Sequence, residues 1–194
     1  MALSNCRRIP FDFILCDFHL GVGRDGYQLF EVLRTEQLLK AECCFLVVSD
    51  ERQRQAVYGI VEYQPDDYLL KPFSYAELER RITRAYHIKQ ALKLAYQAIQ
   101  QREYNDAVQA CDHVVAHRSK YALHASRLKA ELLVRLERFA EAEHLYHWAL
   151  TVRDFAWARL GLAVIYGYQG RSDEAEAALQ LYLFTRDTAA HTGQ

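Results

Sequence analysis

Residues 13–20 read Phe-Ile-Leu-Cys-Asp-Phe-His-Leu, an apolar run that ends on one acid, Asp17. Ile14, Leu15 and Cys16 suit a strand buried in a parallel sheet. Asp17 then stands where the strand meets its loop, the edge at which open α/β sheets place their chemistry. Two later runs end in the same way: Cys43 to Val48 leads to Ser49, and Tyr68 to Leu70 leads to Lys71, just before Pro72. An acid, a hydroxyl and an ammonium at the carboxyl ends of successive strands can converge on one point. Together they suit a transferred phosphoryl group.

Composition sets the bounds. With 194 residues the chain holds one large or two small domains, and 51% hydrophobic residues are enough for real cores. Lys plus Arg number 24 against 25 Asp plus Glu, with no basic stripe, which argues against nucleic acid as a partner. The five cysteines (Cys6, Cys16, Cys43, Cys44, Cys111) form no C-x-x-C pair, as expected for free thiols in a reducing compartment. No apolar stretch reaches membrane-spanning length and no signal-peptide core opens the chain, so a cytoplasmic, membrane-free protein is expected.

Punctuation divides the chain. Pro10, Pro65 and Pro72, with Gly21, Gly23, Gly26 and Gly59, all precede Ser74, whereas Phe73 to Leu160 contains neither residue type. Strands and turns therefore give way to helix between Ser74 and Ile88. The expected organisation is an α/β part at 1–87, helical repeats at 88–189 and a polar tail at 190–194, with fraying from Thr185.

Residues 11–87 resemble the receiver domain of two-component response regulators, doubly wound flavodoxin-like modules with five parallel strands. The resemblance rests on ILCD with Asp17, the loop ending RDG at Gly26, VVSD with Ser49 and DDYLLKPF with Lys71, in that order. It implies that Asp17 accepts a phosphoryl group from a histidine kinase or phosphotransfer protein. Ser49 and Lys71 would bind its oxygens, and Lys71–Pro72 would be a cis peptide. Tyr68 matches the family's aromatic switch, with a half-buried strand aromatic as the alternative. The backbone carbonyl of His19 would be a metal ligand beside Asp17.

The family holds Mg²⁺ with an acidic pair at the end of its first strand. The 16 residues before Asp17 contain one acid, Asp12, so the acidic-pair ligands are absent from this chain and Mg²⁺ is expected to bind poorly. By the same comparison the chain carries receiver strands 3, 4 and 5 and lacks the first strand, first helix and second strand. Leu3 to Arg8 would be the tail of the second receiver helix. The strand of Asp17 would then have an apolar open edge (Phe11, Phe13, Leu15). A piece of a longer protein, or a chain that borrows a strand or self-associates, is the expectation.

The helical part repeats. EYNDAV at 103–108, RFAEAE at 138–143 and RSDEAE at 171–176 vary one phrase, with Ala107, Ala142 and Ala175 spaced by 35 and 33 residues. Tyr104 and Phe139 precede their alanines by three, and Tyr166 and Gly170 suit the third unit. This period resembles tetratricopeptide (TPR) repeats, antiparallel helix pairs that stack as an all-α solenoid. The resemblance implies a protein or peptide partner on one face, for which Tyr96, Arg127, Arg135 and Arg159 are groove candidates unless they are simply solvated. Cys111, His113 and His117 cluster in sequence, but Cys111 is offset from the histidines' helix face, so a zinc site is not expected.

Ser74 and Glu77 read as a capping box, and the stretch from Ser74 to Gln101 contains no breaker. The last receiver helix is expected to run into the first repeat helix directly, or with one kink near Ile88. The expected function is a response-regulator-like phosphorelay protein with a protein-binding output. The alternative is a phosphorylation-independent scaffold whose receiver remnant serves dimerisation or packing. Enzymatic turnover is not expected: Gly21, Gly23 and Gly26 lack nucleotide-loop spacing, and no nucleophile–base pair is evident.

Overall fold

The computed structural model describes residues 2–21, 25–50, 65–117 and 119–191, with side chains described to residue 184. Gly23, Arg24 of the RDG loop, Gly59 and tail residues 192–194 lie outside the described residues. The chain forms two compact units, 1–110 and 111–194.

The first unit contains α1 (Ala2–Cys6), β1 (Phe13–Asp17), α2 (Gly26–Thr35), β2 (Cys44–Ser49), β3 (Asp67–Leu70), α3 (Tyr75–Ala91), α4 (Lys93–Gln100) and the start of α5 (Tyr104–Ala116). The strands are parallel in the order β1-β2-β3, with Asp17 beside Val48 and Ser49 beside Leu70. All six positions of β2 are buried because helices cover both of its faces. On one face Cys16, Phe45 and Val47 pack with Leu29, Phe30 and Leu33 of α2 and with Leu3 and Cys6 of α1. On the other, Cys44 and Leu46 meet Ile82 and Ala85 of α3.

Local chemistry starts the helices. Asp25 accepts from the Gln28 amide at 2.8 Å while the Gln28 side chain accepts from the Asp25 amide at 3.1 Å, a closed capping box on α2. At α3 only half of the expected box forms. Ser74 Oγ accepts from the Glu77 amide at 3.1 Å, but the Glu77 carboxylate turns to Arg81, 3.7 Å away. The expected continuous helix, or kink at Ile88, is corrected too: α3 ends at Ala91 and α4 begins at Lys93, with Leu92 between them at φ −105°, ψ 16°.

The change of unit also falls beyond residue 87, for a visible reason. Lys93 Nζ lies 3.2 Å from Glu42, Gln97 Nε2 donates to Glu42 at 2.8 Å, and Gln100 Nε2 donates to the Leu39 carbonyl at 3.2 Å. These bonds bind α4 to the loop before β2, so it belongs with the sheet.

The second unit stacks α6 (Ala122–Arg135), α7 (Phe139–Val152), α8 (Ala156–Tyr168) and α9 (Ser172–His191), each against the next. Small residues allow the close approach: Ala125, Ala142, Ala149 and Ala158 are wholly buried. At Gly161 of α8 an added Cβ would fall 2.2 Å from the ring of Tyr146 on α7, so any larger residue must displace that buried ring. Helix α9 continues to His191, where the polar composition predicts fraying from Thr185. No helix among the described residues is long and apolar enough to cross a membrane.

One left-handed turn closes four helices: Gln37 after α2 has φ 55° with the Leu38 amide bonded to the Leu33 carbonyl at 2.9 Å, and three later turns repeat it. Arg102, Glu137 and Gly170 have φ of 63°, 58° and 71°, and each is followed by an amide bonded five residues back: Glu103 to Ala98, Arg138 to Leu133 and Arg171 to Tyr166, all at 2.9 Å. This left-handed closure satisfies carbonyls left over at a helix end. Among the last three turns its spacing of 35 and 33 residues matches that of the alanine anchors.

Candidate functional site

Parallel strands point their carboxyl ends the same way, so residues closing β1, β2 and β3 share a rim. Asp17 is the last residue of β1, Ser49 the last of β2, and Lys71 directly follows β3. The Phe18 amide donates to Val48 O at 2.7 Å and the Lys71 amide to Ser49 O at 3.0 Å, so backbone bonds carry both flanking strands onto β2 beyond the strand ends.

Across that rim the Lys71 Nζ donates to Asp17 Oδ2, and the His19 amide donates to Asp17 Oδ1 at 3.0 Å. Both side chains keep over a third of their surface in water, 38% for Asp17 and 37% for Lys71. The Lys71 hydrogen bond, followed by that from His19, holds the Asp17 carboxyl below its ordinary pKa. Lys71 is raised, first by its bond to Asp17, with the charge of Asp50 adding to it. The pair is therefore a carboxylate and an ammonium at neutral pH.

Ser49 is buried at the centre of the rim, 4% exposed. Strand alternation puts it on the face of Phe45 and Val47. Tyr68 is half-buried and packs against the same α2-side cluster. The Lys71–Pro72 peptide is cis. His19 is exposed, with its ring edge-on to Phe18. Gly26, the first residue of α2, is a site residue that strand-end reasoning does not single out. Its amide donates to Phe18 O at 2.8 Å, and an added Cβ would lie 2.5 Å from the Asp17 carbonyl. Glycine here lets α2 start directly against the acid-bearing strand end.

The donor set does not fit Mg²⁺. Asp17 is already bonded to an ammonium, Asp25 caps α2, and Asp12 precedes β1 at its opposite end, paired with Lys40 at 2.8 Å. Among the described residues no group of three or more acidic, histidine or cysteine side chains could hold a metal ion. Among the described residues Asp17 and Asp50 are the carboxylates whose charges act on Lys71 at this rim, short of the several oxygen ligands a hard cation needs.

Three of the groove candidates have near partners of their own. Tyr96 lies over the Lys89 ammonium at 3.9 Å, Arg127 stacks on Trp157 at 5.7 Å and bonds Glu131, and Arg159 bonds Asp154 at 2.6 Å. Arg135 is exposed near the end of α6. His113 and His117 rings stand 4.1 Å apart, while Cys111 is buried in its own core.

Comparison of the chain with models of known protein families, with curated proteins and with solved structures returns no match.

Proposed function

We propose that the chain is a response-regulator-like signalling protein in which Asp17 is the phosphoacceptor and a TPR-like helical part binds a protein partner. The observation that carries this reading is the Lys71 ammonium bonded to the Asp17 carboxylate at the shared rim of three parallel strands. Helices on both faces of that sheet favour a flavodoxin-like receiver with the strand set 3-4-5. For the helical part, support comes from the spacing of the turns at Arg102, Glu137 and Gly170, which is in phase with the alanine anchors.

The chemistry is an in-line transfer. An Asp17 oxygen attacks the phosphorus of a phosphohistidine on the kinase or phosphotransfer protein. The P–O bond forms as the P–N bond breaks, and the leaving imidazole takes up a proton. Lys71 then shifts from the carboxylate to a phosphoryl oxygen, where a positioned cation meets the added negative charge. Ser49 is the hydroxyl at the centre of the rim. Tyr68 follows it as a switch through the α2-side cluster, and the backbone of His19 fixes the acceptor's second oxygen. The steps are written without a metal, because the described residues do not form a Mg²⁺ cage.

The test is labelling with phosphohistidine donor or acetyl phosphate. Hydroxylamine-labile label on Asp17, absent from Asp17→Asn, is expected. A chain that takes no label from either donor refutes the phosphoacceptor role.

One observation favours the scaffold alternative. β1 is an edge strand whose Phe13 and Leu15 are 41% and 48% exposed, unusual for an apolar strand with no neighbour among the described residues on its other side. In that reading the sheet serves pairing, and Leu15→Lys abolishes self-association in sedimentation. A chain monomeric before the substitution refutes it.

A further inference from the structure

Lys89 is the buried charge that the phosphoacceptor chemistry leaves unused. It lies in the last turn of α3 with its side chain 5% exposed, and its ammonium is 3.1 Å from Asp66, itself 14% exposed. The Tyr96 ring of α4 lies 3.9 Å from the same ammonium. Asp66 is fully engaged: Oδ2 accepts from the Phe45 amide at 2.8 Å, and its own amide donates to the Phe45 carbonyl at 2.8 Å. Burial pushes the Lys89 pKa down and Arg34 adds to that, but the charge of Asp66, helped by the Tyr96 phenol and the Asp66 hydrogen bond, outweighs them and leaves it raised. A buried ion pair satisfied in this way is costly to break on one side.

Its location gives it a role. Asp66 immediately precedes β3, and Lys71 immediately follows it. Four strand residues therefore join the Asp17 site at one end to the α3–α4 break at the other. A strand this short, hydrogen-bonded along β2, moves as a unit rather than stretching. At its far end, Lys89 and Tyr96 tie it to both sides of the break at Leu92, while Glu42 holds Lys93 and Gln97.

We infer that the Asp66–Lys89–Tyr96 contact is a positioning pin through which the state of the Asp17–Lys71 pair sets how firmly α4 docks on the loop at 39–42. The signal that changes Asp17 rests on the phosphoacceptor reading. The coupling does not, and it can be read without a phosphodonor.

The experiment is hydrogen–deuterium exchange on the full chain. Asp17→Asn removes the charge that holds Lys71 and lies on the rim. It is expected to raise amide exchange in Lys93–Gln100 by about 5-fold or more, the lower end of ordinary coupling between sites. In a chain also carrying Asp66→Asn with Lys89→Gln, the same Asp17→Asn step leaves α4 exchange unchanged. Tyr96→Leu, which keeps the ion pair but removes the ring, is the milder background if the paired variant fails to fold, and it too is expected to reduce the effect. Faster exchange confined to the rim, or an α4 response that persists undiminished in the variant background, overturns the inference. Failure of Asp17 to take label is a separate result, since it removes the signal and leaves this coupling measurable.

Discussion

Glu137→Gly is expected to stabilise the second unit, although it deletes a side chain and introduces a flexible residue beside a helix. Glu137 holds φ 58°, a conformation that costs a residue with a Cβ roughly 1–2 kcal/mol. Glycine removes that cost but has more freedom to lose on folding, about 0.5–1 kcal/mol. The net gain is about 0.5–1 kcal/mol, or roughly 2–8 °C in Tm for a unit of this size. Glu137 is exposed and enters no ion pair or side-chain hydrogen bond among the described residues, so little is lost with it. Its charge is a confounder, because an acid at a helix C-terminus is itself unfavourable. Glu137→Ala removes the charge and keeps the Cβ, so the difference between the glycine and alanine variants isolates the backbone. The assay is urea denaturation, read as a raised midpoint at unchanged slope. Gly170→Ala, at φ 71° in the matching turn, should lose a similar amount. If Glu137→Gly were no more stable than Glu137→Ala, the shared left-handed turn would be refuted as a feature in solution.

Three further outcomes are expected. Asp17 is depressed by Lys71, so the pair's stabilisation is present above the ordinary carboxylate pKa of 3.8 and is lost as pH falls below it; a carboxyl-carbon NMR titration should place Asp17 below 3.8, and Lys71→Met should move it up. An unshifted Asp17 in the native chain would contradict the bonded rim. Gly161→Ala should destabilise by about 1–3 kcal/mol through overpacking against Tyr146, less the helix-propensity gain of alanine, with a smaller penalty in a Tyr146→Leu background; equal penalties in both would refute the close approach. Burial pushes Cys43, Cys44 and Cys111 up to about 12 and Cys16 up to about 11, so a thiol reagent at neutral pH should modify the half-buried Cys6 first; labelling of Cys16 or Cys43 in the folded chain at a comparable rate would count against this packing.

What could be read in advance was whatever repeats or ends locally. Asp17, Ser49 and Lys71 stand out because each closes an apolar run, and strand direction does the rest. The anchors Ala107 and Ala142 stand out through their spacing, and both are wholly buried. Ala175, on the last helix of the stack, is only half-buried, because the close contact that demands a small residue needs a helix on each side.

The joint was misread for an instructive reason. Along α3 the apolar pattern slips between Tyr86 and Leu92, and a lysine at that point reads as solvated surface. Yet Ile82, Ala85, Lys89 and Leu92 follow steps of three and four, so Lys89 occupies the missing position on the inward face. Its burial depends on Tyr96, seven residues on and beyond the break at Leu92, and on Asp66, 23 residues before it and linked to it by no helical period. Gly26 was opaque in the same way, since its need to lack a side chain comes from the Asp17 carbonyl on another element.

The amino-acid order alone determined which polar residues close the strands, the Ser74 cap of α3 and the spacing of the alanine anchors, because each depends on neighbours within a few residues or on a period. Only the tertiary structure decided where α3 stops, that α4 belongs to the sheet, and that a lysine could be core. Those outcomes turn on desolvating a charge beside a partner distant in sequence, and the sign of that free energy is set by the partner's position in space.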